Sequence, residues 1–186
     1  MSKTKSNVTA DFVLPIVVLV LICAVMSGLL AVTNNITAPI IDEAERRAAE
    51  EARKEVLSAA DSFEKVEAAG LPEGVTEVYR ASNGAGYTFS IVAQGYGGKG
   101  TLKLTVGIDV DGKITGTKIL SQEETPGLGS KIETNAFQGQ FPGKDAGYVS
   151  DIKNLDTISG ATRSSNFFRL ALTYAFEAFE MVKEGA

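Results

Sequence analysis

Thr101–Asp109 reads TLKLTVGID, Val110-Asp111-Gly112 follows, and Lys113–Ser121 reads KITGTKILS. Apolar and polar residues alternate in both stretches, the period of a strand with one buried face. Asp-Gly between them supplies the positive φ angles of a tight turn, so the pair predicts an antiparallel hairpin. Thr76–Arg80 (TEVYR) and Gly86–Gln94 (GYTFSIVAQ) have the same period and extend the sheet upstream. Its core is expected from Tyr87, Phe89, Ile91, Leu104, Val106, Ile108, Ile114 and Ile119. Downstream, Ser164 to about Lys183 carries Phe167, Phe168, Leu170, Leu172, Tyr174, Phe176, Phe179, Met181 and Val182. Apolar residues wrap much of that segment, which predicts a helix buried against the sheet on a broad face. The expected fold class is α+β, a compact domain with a mostly antiparallel sheet and a C-terminal helix.

Further toward the N-terminus the period changes again. Asp42 to about Val66 (DEAERRAAEEARKEVLSAADSFEKV) is rich in Ala and Glu and reads as a stalk helix. Ala49, Val56, Leu57, Ala60 and Phe63 give it one narrow apolar stripe. Asn34-Asn35-Ile36-Thr37-Ala38-Pro39 reads as a short breaker before it. Phe12–Val32 (FVLPIVVLVLICAVMSGLLAV) has no charge over 21 residues, roughly 30 Å of helix and enough for a bilayer's hydrocarbon core. It exceeds a secretory h-region, Val32-Thr33-Asn34 is a poor cleavage site, and Ile22 before Cys23 speaks against lipidation. An uncleaved anchor is expected. Lys3 and Lys5 precede it, while Arg46, Arg47 and Arg53 follow it, so charge alone orients it only weakly. The short basic tail leans toward a cytoplasmic N-terminus and an extracytoplasmic domain. The organisation expected is a cytoplasmic tail over 1–11, a transmembrane helix over 12–32, a linker and stalk over 33–70, and the folded domain over 71–186.

Composition narrows the chemistry. The chain of 186 residues has no His and a single Cys. That leaves no Ser–His–Asp or Cys–His nucleophile, no His-ligated metal, no internal disulfide and no cluster of its own. With 18 Lys+Arg against 23 Asp+Glu the net charge is −5, contrary to the basic face that a nucleic-acid binder needs. The protein therefore either binds something or carries a reactive group that it does not make.

Three glycine-rich stretches offer places for such a group. Gly95-Tyr96-Gly97-Gly98 follows a strand and reads alone as a turn or bulge. Glu124-Thr125-Pro126-Gly127-Leu128-Gly129 follows the last strand, and its glycines let backbone approach a flat or anionic ligand closely. The third, Asp156-Thr157-Ile158-Ser159-Gly160-Ala161-Thr162-Arg163-Ser164-Ser165, runs into the C-terminal helix. Ser164 or Ser165 could simply N-cap that helix. Equally, a helix start with small neighbours and several hydroxyls suits a phosphate, with Arg163 adding a cation or pointing to water. Gly160 and Ala161 leave the Thr162 hydroxyl open on one side.

Asp156-x-x-Ser159-Gly160-Ala161-Thr162 resembles the flavinylation motif read by flavin transferases, in which the final Thr becomes esterified to the phosphate of FMN. Together with Glu124–Gly129, Gly95–Gly98 and Val106-Gly107-Ile108-Asp109, it is similar to the FMN-binding domain of the G subunits found in Rnf-type ion-translocating electron transport complexes. The same domain occurs in the C subunit of the Na⁺-translocating NADH:quinone reductase, but the compact length looks more like the Rnf protein. The resemblance implies covalent FMN on Thr162, with Asp156, Ser159, Gly160 and Ala161 forming the surface that the transferase reads. It also implies that Thr125, Pro126, Gly127, Leu128 and Gly129 lie close to the flavin. It implies a membrane-anchored electron carrier, not catalytic alone, among other membrane subunits of a ferredoxin:NAD⁺ oxidoreductase that moves Na⁺ or H⁺. No G-x-G-x-x-G follows a strand, so NAD itself is not expected to bind here. A single-pass sensor or ligand-binding module is the competing class. A hydroxyl-nucleophile hydrolase at Ser159 or Thr162 has no base to serve it.

Overall fold

The computed structural model describes residues 12–184. The proposed tail over 1–11, with Lys3 and Lys5, lies outside them. The chain divides into two compact units at Arg46/Arg47. In the first, helix α1 (Leu14–Val56, continuing into the second unit) exposes apolar side chains from Leu14 to Ile41 and is long and apolar enough to cross a membrane.

The expected breaker does not break. Pro39 lies inside α1, which runs through Asn34–Pro39 without interruption. Proline removes one N–H and crowds the preceding turn, a local cost of about 3 kcal/mol in an ordinary helix interior. Nearby, the hydroxyls of Thr33 and Thr37 donate to the carbonyls of Leu29 and Thr33, each at 2.9 Å, and so bond inside the helix rather than against it.

The second unit is built on a five-stranded antiparallel meander in the order β1-β2-β3-β4-β5. Its strands are β1 (Phe63–Val66), β2 (Val75–Ala81), β3 (Gly86–Gly95), β4 (Gly98–Asp109) and β5 (Ile114–Gln122). The stalk helix ends earlier than its composition suggests, at Val56, and Phe63–Val66 is strand instead. Pairing decides this: Phe63 stands opposite Ala81 and Val66 opposite Val78, so the edge of β2 recruits a segment that helix propensity alone would extend. The Asn83 amide donates to the Ala59 carbonyl at 2.7 Å and the Ser62 and Ser82 hydroxyls meet at 2.6 Å, fixing the reversal.

The β4–β5 hairpin forms as its sequence predicts, with Asp109 Oδ1 accepting from the amides of Asp111 and Lys113. Gly95 pairs with Gly98, which leaves Tyr96-Gly97 as the tight turn between β3 and β4. Short helices α2 (Asn135–Gln138) and α3 (Ala146–Val149) lead to α4 (Thr162–Glu184).

One sheet face carries Val78, Tyr87, Phe89, Ile91, Leu104, Val106 and Ile108 against Phe168, Leu172, Ala175, Phe176 and Phe179 of α4. Ile119 is only half-buried at its margin, and Met181, expected inside, is 41% exposed. Edge-on aromatic contacts lock the layer, with Tyr87–Phe179 centroids 5.9 Å apart and Phe137–Phe168 centroids 5.4 Å apart. The end of α1 covers the opposite face: Ala52, Arg53, Val56 and Leu57 are buried, and Thr115 donates its hydroxyl to the Val56 carbonyl at 2.5 Å. Gly107 and Gly116 stand opposite each other on β4 and β5, and a Cβ on either would run into the Val56 backbone.

Candidate functional site

The three glycine-rich stretches converge. Tyr96, Thr125, Leu128, Gly129, Gly160, Ala161, Thr162, Arg163 and Ser164 line one cleft of about 400 Å³. Its size falls in the range of small-molecule sites.

Each wall follows from local chain chemistry. Thr125-Pro126-Gly127-Leu128 is a tight turn closed by the Leu128 amide on the Thr125 carbonyl at 3.1 Å. Pro126 presets the second position, and Gly127 at the third has φ +77°, which side chains resist. The Ser130 hydroxyl accepts from the Gly127 amide at 2.9 Å and braces the turn. Pro126 and Gly127 therefore shape the loop, while Thr125, Leu128 and Gly129 reach the cleft.

The opposite wall is a second turn, Ile158-Ser159-Gly160-Ala161, closed by the Ala161 amide on the Ile158 carbonyl at 2.9 Å. A Cβ on Gly160 would stand 3.7 Å from Leu128 Cδ2, so the two loops touch. Two side chains peg the approach to this turn. Gln140 grips the Asp156 backbone on both sides, accepting from its amide at 2.9 Å and donating to its carbonyl at 3.3 Å. Ser165 accepts from the Ile158 amide at 3.1 Å. Asp156 and Ser159 lie outside the cleft lining.

Helix α4 starts at Thr162, two residues before the expected start. Ser164 and Ser165 consequently do not N-cap it; both are buried inside its first turn. Ser165 donates back to the Ala161 carbonyl at 3.2 Å. Ser164 donates to Glu124 at 2.5 Å. Thr162 is exposed at the cleft mouth, and among the described residues its hydroxyl takes no hydrogen-bond partner. The opening amides of α4 precede the first helical bond, the Ser165 amide on Ala161, and carry the positive end of the helix dipole. The Arg163 guanidinium stands 5.6 Å from the Tyr96 ring centroid and 5.9 Å from that of Phe167, within reach of both faces. It lies along the cleft wall while staying exposed to water.

Donor amides, a free hydroxyl, a cation, an aromatic ring and an aliphatic side chain in one lining are a donor set compatible with a phosphorylated flat ring. Sequence reasoning quoted the stretches that contain Tyr96, Glu124 and Ser164 without giving those side chains a part in building the site, and it did not reach Gln140. The signal for Glu124 was available, since it opens the Glu124–Gly129 stretch; Gln140, distant from every motif, gave none.

The residues that line the cleft fall within a stretch that matches a known family. Residues 95–177 match the FMN-binding domain family, and residues 17–56 match the RnfG N-terminal region. The chain is similar to the G subunit of the ion-translocating oxidoreductase complex of Methanosarcina acetivorans, 35% identical over 81% of this chain and 85% of the relative. It is 37% identical to the G subunit of the Na⁺-translocating ferredoxin:NAD⁺ oxidoreductase complex of Acetobacterium woodii, over 77% of each chain. The G subunit of the proton-translocating ferredoxin:NAD⁺ oxidoreductase complex of Clostridium ljungdahlii is 30% identical over 79% of this chain and 80% of its own.

Proposed function

The chain belongs to the family of G subunits of Rnf-type ion-translocating oxidoreductase complexes, and we propose from this premise that it is a membrane-anchored electron carrier holding FMN covalently through Thr162. The observation that carries the reading is the place of Thr162: an exposed hydroxyl, unpartnered among the described residues, at the start of α4 and in the lining of a cleft that also holds Arg163, Tyr96 and Leu128.

In this reading the Thr162 hydroxyl gives up its proton and takes the FMN phosphoryl group from a flavin dinucleotide brought by the transferase. The pyrophosphate bond of that donor breaks, a nucleoside monophosphate leaves, and the Thr162 oxygen ends as the ester to the FMN phosphate. The opening amides of α4 and the Arg163 guanidinium hold the remaining phosphate charge. Tyr96, Thr125, Leu128 and Gly129 border the ring, and Pro126 and Gly127 keep that wall in shape. Bound FMN supplies the one- and two-electron redox chemistry that this chain's side chains lack. Attachment through phosphate leaves the ring electronically unmodified, so surrounding amides, charge and burial set its potential. Asp156, Ser159 and Gly160 are exposed close in sequence to the acceptor hydroxyl and suited to reading by a flavin transferase, whereas Ala161 is buried.

The N-terminal part of α1 would be the anchor, with the N-terminus cytoplasmic and the flavin-bearing unit outside. Partners are the other membrane subunits, with which it relays electrons between ferredoxin and NAD⁺. The names of the Acetobacterium and Clostridium relatives give Na⁺ and H⁺ respectively, so membership in the family accommodates either coupling ion.

Expression of the full chain beside a flavin transferase tests the reading. A flavin-fluorescent band in a denaturing gel, absent in Thr162→Ala, is the expected result. A colourless wild-type band in a flavin-replete host makes the chain a single-pass binding module instead.

A further inference from the structure

Glu124 is the only buried acidic residue among the described ones, at 5% exposed, and flavin attachment as proposed above makes no use of it. Both of its oxygens are engaged. Oε1 accepts from the Tyr96 amide at 2.8 Å, and Oε2 accepts from the Ser164 hydroxyl at 2.5 Å. Ser164 is itself 3% exposed. Tyr96 belongs to the β3–β4 turn and Ser164 to the first turn of α4, so the two donors come from different walls of the cleft. The backbone closes around the same carboxyl. A Cβ on Gly129 would lie 2.6 Å from both Glu124 Oε2 and Ser164 Oγ, and a Cβ on Gly95 would lie 2.9 Å from Glu124 Oε1. Segments far apart in sequence thus meet at one side chain, directly behind the residues that line the cleft.

We propose that Glu124 is a positioning residue of the flavin site: its carboxyl bolts the first turn of α4 to the β3–β4 turn and thereby sets where Thr162 stands relative to Tyr96 and Leu128. The proposal rests on attachment at Thr162. It does not need Glu124 to touch the flavin. An ester forms at Thr162 only if its hydroxyl, the helix amides and the ring wall meet one molecule together, and misplacement by about 1 Å can cost a factor on the order of a hundred.

Substitutions separate this role from space filling. Glutamine retains both links, because its carbonyl accepts from the Tyr96 amide and its NH₂ donates to the Ser164 oxygen. Methionine has similar length and fills the same space with neither link. The test uses the full chain in membranes with its transferase, reading the rate of covalent flavin incorporation and, separately, thermal unfolding. Glu124→Gln is expected within about twofold of wild type, and Glu124→Met about tenfold slower or worse while still unfolding cooperatively. Ser164→Ala, which removes a single oxygen, should also slow incorporation, and combined with Glu124→Met it should add little. Methionine loading as fast as glutamine overturns the proposal, as does glutamine loading as slowly as methionine. Should Glu124→Met fail to fold, unchanged loading in Ser164→Ala overturns it alone. A wild-type chain that never acquires flavin refutes the attachment reading itself, whereas normal wild-type loading with indifferent variants refutes only the role of Glu124.

Discussion

Gly107 of β4 faces Gly116 of β5, and Val56 occupies the space that their side chains would fill. A Cβ on Gly107 would lie 2.5 Å from the Val56 carbonyl oxygen, and one on Gly116 3.0 Å from Val56 Cα. The Thr115 hydroxyl crowds the Gly107 position as well, but the Val56 obstacles are backbone and yield only if the helix end lifts. Gly107→Ala should therefore destabilise the folded unit by about 1–3 kcal/mol, read as a lower denaturant midpoint at unchanged slope. Gly84→Ala serves as the contrast: its Cβ would meet nothing, so its cost comes only from the positive φ.

Arg53 is buried at 8% exposed, with its guanidinium 4.0 Å from the Tyr79 ring centroid. Arg53→Ala removes both that contact and the packing of the side-chain stem, for an expected loss of about 1–2 kcal/mol. Arg53→Met, which keeps much of the stem, should recover part of it. Equal midpoints for the two variants would assign the whole effect to the guanidinium.

Arg163 carries a different expectation. Lying exposed along the cleft wall, it contributes to ligand charge more than to the fold. Arg163→Ala should leave the unfolding midpoint within about 0.5 kcal/mol of wild type, typical of a surface site. It should slow flavin incorporation roughly two- to fivefold, the worth of one exposed cation–π or phosphate contact. Unchanged incorporation would show that the helix amides hold the phosphate unaided.

Tyr148 supplies a pH signature for the segment that leads to the Ile158–Ala161 turn. Burial, and then the negative charge of Asp156, push its phenol above the ordinary tyrosine value of 10.0. The folded state thus holds that proton more tightly than the unfolded chain. Its stabilising contribution is complete below about pH 10 and fades as pH rises through the folded value. Ultraviolet titration should show the Tyr148 phenol ionising above pH 10, and Asp156→Asn should bring its midpoint down. A midpoint unmoved by that substitution would leave burial as the whole cause.

The sheet was legible because strands with one buried face must alternate, and Tyr87, Phe89, Ile91 and Leu104, Val106, Ile108 do so without a break. The membrane-length stretch was legible for the simpler reason that charge is absent from Phe12 to Val32. What escaped was decided at a distance. Nothing local tells Phe63–Val66 to leave a helix; the free edge of β2 does. Pro39 reads as a stop yet lies within α1. At the site, the glycines and Thr162 stood out by spacing, but the start of α4 two residues early turned Ser164 from a cap into a link to Glu124. That partnership spans 40 positions and leaves no periodic trace.

Thr162 opens a helix whose later turns sink Phe168, Leu172, Phe176 and Phe179 into the sheet. A flavin hung there, as proposed, has the fixed end of its tether on a rigid element, so only its own phosphate and ribityl links can swing. Any gap to a donor or acceptor wider than that leash is crossed by travel of the whole unit or of a neighbour, and docking then sets the pace of electron delivery.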